Sequence, residues 1–165
     1  MDEVWREQLL TRLSQTGELG AETVHYIRAN GVRMFFRRYS KSTGARWFLF
    51  RRISLNSRYY SVESDLNNPK ILSLLVHEIH HLKQGVRVAL SAYGELDAWQ
   101  VEFRFYRSIR AGKLHPALEE ILELPLSYDK DVLRRAVRLM QTYAGKGYHV
   151  NWLPLRPLGY SLLGH

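Results

Sequence analysis

The residues best suited to chemistry in this chain are His77, Glu78 and His81, which form an HExxH pattern. On a helix each residue advances by about 100°, so the two histidines lie roughly 40° apart on one face. Two imidazoles one turn apart can bind a single Zn²⁺, and the neighbouring glutamate can take a proton from a zinc-activated water. The pattern therefore predicts a zinc-dependent hydrolytic site.

A catalytic zinc usually has three protein ligands and an open position, so a third ligand is needed. The chain has no cysteine, which leaves histidine and carboxylate side chains. No histidine lies between His81 and His115, whereas Glu95 begins the next predicted helix. A helix packed antiparallel to the first can bring Glu95 back to both imidazoles. We predict Glu95 as the third ligand and Asp97 as a candidate acceptor from a ligand histidine.

The HExxH pattern falls within a helix that has clear start and stop signals. Asn68 and Pro69 suit the N-cap and the first helical position, and Gly85 suits the C-terminal stop. Apolar residues occur nearly all round this segment, which predicts a buried central helix. They are Ile71, Leu72, Leu74, Leu75, Val76, Ile79 and Leu82. The motif thus lies in the last two turns of a well-capped helix.

The remaining elements follow from periodicity and turn residues. Residues 4–16 and 18–29 predict two helices, and Asn30-Gly31 ends the second. Val32–Tyr39 and Ala45–Ser54 are rich in aromatic and branched residues and predict a hairpin, with a third strand at Arg58–Val62. Further helices are predicted at 95–110, 116–124 and 130–144.

A chain of 165 residues is predicted to form one domain, which we place at residues 1–147. Within it we expect N-terminal helices at 1–30, a sheet at 32–62, the metal-binding helices at 68–111 and C-terminal helices at 115–145. Residues 148–165 contain several prolines and glycines and are predicted to be an extended tail.

HExxH followed by ExxA, here Glu95 and Ala98, resembles the gluzincin division of zinc metallopeptidases in its minimal form. In outline the chain is similar to small peptidases that cleave phage repressors and to bacterial radiation-response regulators, over roughly residues 32–111. The resemblance implies an α+β, zincin-like fold in which a small antiparallel or mixed sheet packs on the HExxH helix and further helices follow. It also implies that Glu78 is the general base and then the proton donor.

The same resemblance implies that substrate lies extended along a strand that precedes the HExxH helix. That would place the Ala45–Tyr60 region along the cleft, where its arginines could select acidic substrates.

Two features of the site stay open at this level. His80 lies about 100° from His81 around the helix, so His77 and His80 form an alternative ligand pair. Hydrolysis also needs a hydrogen-bond donor besides the metal. The chemically able candidates are Tyr93, His115, Tyr148 and His149. For Tyr93 the plainer alternative is an aromatic side chain packed on the core.

The C-terminal tail has two interpretations. It can pack across the domain and cover apolar surface with Trp152, Leu153, Leu155 and Leu158. It can instead occupy the cleft as an inhibitory segment, with His149 or His165 meeting the metal.

The formal net charge of +8 is unevenly distributed, since no Asp or Glu occurs from Val24 to Val62. The basic residues in this stretch are Arg28, Arg33, Arg37, Arg38, Lys41, Arg46, Arg51, Arg52 and Arg58. Such a region could contact nucleic acid or an acidic partner. Because no nucleic-acid-binding motif accompanies it, a solvated sheet face with arginine at alternate positions is the plainer interpretation.

These observations predict a zinc metallopeptidase with one Zn²⁺ per chain and a peptide or protein substrate. The alternative is a catalytically weak or inactive zincin-fold protein that regulates or binds, using its basic strands to contact DNA or an acidic protein. A third interpretation is a helical domain with core histidines. No signal peptide or membrane-spanning apolar run is visible, which predicts a cytoplasmic protein without membrane contacts.

Overall fold

The chain runs from two helices through a small sheet to a second set of helices. The computed structural model describes residues 1–145 and 147–160. Within them the elements are α1 (Glu3–Ser14), α2 (Glu18–Ala29), β1 (Arg33–Arg37), β2 (Ala45–Phe48), β3 (Arg52–Asn56), α3 (Pro69–Gln84), α4 (Val86–Ala89), α5 (Ala92–Ile109), α6 (Pro116–Glu123) and α7 (Lys130–Ala144). A single 3₁₀ turn, Val150–Trp152, follows in the tail. The fold is α+β, as predicted.

Helix α3 begins and ends where its sequence signals lie. The Asn68 side chain accepts a hydrogen bond from the backbone N–H of Lys70 at 3.0 Å, and Pro69 fills the first position. At the other end Gly85 has a φ of 75°, which a residue with a Cβ rarely adopts. The predicted bounds of the HExxH helix are therefore confirmed.

The three strands form a mixed sheet in the order β1-β3-β2. β3 pairs parallel with β1 and antiparallel with β2, so the hairpin joins β2 to β3. The predicted hairpin between Val32–Tyr39 and Ala45–Ser54 is therefore wrong. The turn between β2 and β3 contains Phe50 and Arg51 at φ values of 64° and 57°, where sequence rules expect glycine or asparagine.

The predicted third strand at Arg58–Val62 is also wrong, because the chain turns there instead. The Asn56 side chain causes the turn: its oxygen accepts hydrogen bonds from the backbone N–H groups of Arg58 and Tyr39. Its amide nitrogen donates to the carbonyl oxygens of Ser40 and Thr43. Strand β3 thus ends at Asn56, which also fixes the loop between β1 and β2.

Two hydrophobic cores meet at helix α5. The first lies between α1, α2, α3 and the inner face of the sheet, and Phe105 of α5 contributes to it. The second joins α5, α6 and α7 and contains Phe103. Helix α5 is therefore held on two sides. Among the described residues no helix is long and apolar enough to cross a membrane.

Gly94 permits the close approach of α5 to the short helix α4 before it. A Cβ at this position would lie 2.1 Å from the carbonyl oxygen of Val88, which belongs to the backbone. We expect Gly94→Ala to lower the free energy of unfolding by about 1–3 kcal/mol, measured by urea denaturation. Gly44→Ala is the control, because the atoms nearest to its Cβ belong to the end of the flexible Leu74 side chain, the first of them a methyl carbon at 2.9 Å. Equal losses in the two variants would contradict this reasoning.

Candidate metal centre

His77, His81 and Glu95 converge at one point between α3 and α5. Each offers a ligand atom, and these atoms lie within 4.8 Å of one another. The Nε2 atoms of the two histidines are 3.0 Å apart. Glu95 Oε1 lies 3.4 Å from Nε2 of His81, and Glu95 Oε2 lies 4.0 Å from Nε2 of His77. The structure thus brings together the three residues predicted as ligands.

These spacings suit a tetrahedral ion. Ligand atoms about 2.0–2.1 Å from zinc are separated from one another by roughly 3.4 Å, which lies within the range found here. The Nε2 atoms of the two imidazoles are 3.0 Å apart, and at this distance their lone pairs repel each other unless a proton or a cation lies between them. Two nitrogens and one carboxylate oxygen form a donor set that zinc accepts readily. The residues present therefore fit a zinc ion.

The outward-facing nitrogens of both histidines meet acceptors. Nδ1 of His81 lies 3.0 Å from Oε1 of Gln84. Nδ1 of His77 lies 2.9 Å from Oε2 of Glu102, but the direction is poor for a hydrogen bond, so we regard it as a charge contact. A proton held on Nδ1 leaves the lone pair of Nε2 directed into the site.

Neither Glu102 nor Gln84 was predicted from the sequence. Glu102 follows Glu95 by seven residues, which is two helical turns and places both on one face of α5. Gln84 follows His81 by three residues, also on a shared face. The spacing of Glu102 from Glu95 and of Gln84 from His81 was the sequence signal for these two residues. It becomes informative only after Glu95 and His81 are taken as candidate ligands.

Asp97 does not have its predicted role. Its Oδ2 lies 2.7 Å from Nε2 of His80 and accepts a hydrogen bond from Nε2 of Gln84 at 2.8 Å. It therefore reaches His81 only through Gln84. Because His80 is paired with Asp97 outside the group of ligand atoms, the alternative pair of His77 and His80 is not assembled.

Glu78 is buried beside the two histidines and lines the adjoining cleft. Burial raises the pKa of Glu78 above its usual value, although the charges of His77 and His81 oppose the change. A carboxyl group with a raised pKa accepts a proton more readily than an ordinary one, which suits a group that must take up and then release a proton.

The pKa values of Glu95 and His77 shift in opposite directions. Burial raises the pKa of Glu95, but the charges of His81 and His77 and the hydrogen bonds from His81 and Tyr148 outweigh it, giving about 2. Burial lowers the pKa of His77, but the Glu102 contact and the charges of Glu78 and Glu95 outweigh it and raise the value to about 9. Glu95 is therefore ionised and ready to bind a cation.

A cleft of about 700 Å³ opens beside these residues. Its walls come from strand β2, helices α3 and α5, and the tail segment around Tyr148. Strand β2 is at the edge of the sheet, so among the described residues no strand pairs with one row of its backbone groups. Residues 45–49 and Tyr60 line the cleft, as the resemblance implied for part of the Ala45–Tyr60 region.

Of the four candidate hydrogen-bond donors, Tyr148 reaches the site most directly. Its hydroxyl donates to Oε2 of Glu95 at 2.5 Å and accepts a hydrogen bond from Nε1 of Trp99 at 3.0 Å. Burial and the Glu95 charge raise the pKa of Tyr148 well above its usual value, so the phenol keeps its proton.

The other three candidate donors are placed differently. His149 lines the cleft but stacks on Trp152, with ring centroids 4.3 Å apart. Tyr93 packs against Tyr128, and His115 caps α6, where it accepts from the backbone N–H of Ala117. Neither Tyr93 nor His115 lines the cleft.

The tail agrees in part with the interpretation that it packs across the domain. Leu153 and Leu155 pack on the second core, as predicted. The prediction that Trp152 and Leu158 also cover apolar surface is wrong, because their side chains are 76% and 52% exposed. His149 is outside the group of ligand atoms, and His165 lies outside the described residues.

The contacts of Glu102 and Tyr148 predict that both residues support metal binding without binding the metal. We expect Glu102→Gln and Tyr148→Phe each to weaken zinc affinity by about 10- to 100-fold, measured by competition with a chromophoric chelator. Tyr26→Phe on α2 is the control and should leave the affinity unchanged. Wild-type affinity in both site variants would show that these contacts do not orient the ligands.

Comparison with known proteins finds no matching protein-family model, curated protein or solved structure. The resemblance to zinc metallopeptidases therefore rests on the motif residues and on the geometry described above.

Proposed function

We propose that this protein is a zinc-dependent metallopeptidase of the gluzincin type, with a zincin-like fold and one Zn²⁺ per chain. His77, His81 and Glu95 would hold the metal, and Glu78 would act as general base. The observation that carries the proposal is the convergence of the three ligand atoms within 4.8 Å, beside a buried glutamate in the wall of a cleft.

The residues around the cleft support a hydrolytic role. Bound zinc would supply a Lewis acid that polarises the scissile carbonyl and activates water. Glu78 takes the proton of the attacking water and passes it to the leaving amine, for which its raised pKa is favourable. The unpaired edge of β2 offers backbone groups to an extended peptide. Glu78 also favours an enzyme over a binding protein, since metal binding alone does not require a base.

The test is cleavage of a defined peptide mixture by zinc-loaded protein, with new termini identified by mass spectrometry. We expect cleavage that stops with a chelator and returns when zinc is added. Equal parts of acidic and basic peptides in the mixture would also test whether the arginines select acidic substrates. Absence of metal-dependent cleavage across the whole mixture would count against the proposal.

A further inference from the structure

The outer face of the sheet meets the cleft only at Arg46 and Phe48 among its described members, and it has an unusual composition. Alternation along the strands and the strand register place one set of side chains on the face away from α3. We call it the outer sheet face. It consists of Arg33, Phe35, Arg37, Arg46, Phe48, Arg52, Ser54 and Asn56. The opposite face carries Met34, Ile53 and Leu55, which lie in the first core.

The aromatic rings of the outer sheet face are only half-buried. Phe35 and Phe48 contact each other across β3, with ring centroids 5.9 Å apart. Within the described residues, neither ring belongs to one of the two cores. The two rings therefore pack outside both cores and stay partly accessible to solvent.

Arginines surround these rings, and their charges are not neutralised. Arg33, Arg37, Arg46 and Arg52 are exposed. In the part of the chain that the structure describes, none of the four forms an ion pair with a carboxylate. Arg37 and Arg46 lie over the ring of Tyr39, at 5.9 and 5.0 Å from its centroid. With no acid from Val24 to Val62, the face presents positive charge alone.

We propose that the outer sheet face binds single-stranded nucleic acid. Unpaired arginines would contact the phosphates, and the accessible parts of the half-buried Phe35 and Phe48 rings would stack with bases. An acidic protein would match the charge but would gain little from the flat rings. A duplex would also match the charge, but its bases are already stacked and cannot reach the rings. This proposal does not depend on peptidase activity.

The experiment is fluorescence anisotropy of a labelled oligothymidine with the full-length chain, compared with a duplex of the same length and with polyglutamate. We expect the oligothymidine to bind most tightly and binding to weaken steeply with salt. Arg37→Ala/Arg52→Ala should reduce the salt slope by about 1.4, since each phosphate contact on a single strand contributes about 0.7. Phe35→Leu, which keeps apolar bulk without the ring, should weaken binding by about fivefold or more.

The control is Arg134→Ala/Arg138→Ala on α7, which removes the same charge from another exposed surface. It should leave binding close to that of the wild type, and thermal melting should show that all variants fold. The proposal is overturned by absence of binding at low salt or by equal weakening in the control. Binding of the duplex more tightly than the oligothymidine would also overturn it. So would tighter binding of polyglutamate together with no effect of Phe35→Leu.

Discussion

Replacing Glu78 with glutamine is expected to lower the rate of peptide hydrolysis by about 100- to 10,000-fold, the usual contribution of a general base. Glutamine has nearly the same size but cannot accept the proton of the attacking water. The cleft and the three ligand side chains should be unaffected, so the variant should still bind one zinc ion per chain. The measurement is the initial rate on the fastest-cleaved peptide, together with the zinc content of the same sample.

Glu123→Gln provides a matched control, because Glu123 is exposed on α6. It should retain the wild-type rate. If Glu78→Gln with bound zinc also cleaved at the wild-type rate, another group would have to be the base.

The second large effect is stabilisation by zinc. Free zinc at 100 times its dissociation constant should raise the free energy of unfolding by about 2.7 kcal/mol. For a chain of this size that corresponds to a rise in Tm of about 5–10 °C, measured by differential scanning calorimetry. His81→Ala and Glu95→Ala should lose the rise, whereas Glu78→Gln should keep it.

The stabilisation of the folded protein by zinc should increase with pH. In metal-free protein the pKa of His77 is raised to about 9 by its acidic neighbours, against the effect of burial. Its charge therefore stabilises the folded state below pH 6.5, and this stability is lost as pH rises through about 9. Zinc requires His77 to lose its proton, so binding becomes easier over the same range. A zinc-induced rise in Tm that is larger at pH 6 than at pH 8 would contradict this assignment.

The helices other than the short α4 could be predicted because their signals are local. Asn68, Pro69 and Gly85 delimit α3, and the bounds of α7 agree with the predicted range of 130–144. The convergence of His77, His81 and Glu95 could also be predicted, since HExxH places two of them on one helix face. The chain length from His81 to Glu95 allows the next helix to return beside that face.

The sheet order and the supporting residues could not be predicted, because they depend on distant contacts. The turn at Phe50 and Arg51 lacks glycine, so its position gives no signal. Asn56 ends β3 through bonds to residues as far away as Tyr39. Tyr148 reaches Glu95 across fifty-three positions, and only the packing of the tail against α5 brings the two together. Local sequence rules do not encode such pairs.

Zinc content per chain tests the central claim most directly. Wild-type protein loaded with zinc and freed of excess should contain one zinc ion per chain by elemental mass spectrometry. His80→Ala should contain the same amount, because His80 pairs with Asp97 outside the ligand group. His81→Ala and Glu95→Ala should contain almost none. Wild-type protein without zinc, or zinc retained in full by Glu95→Ala, would contradict the proposed site.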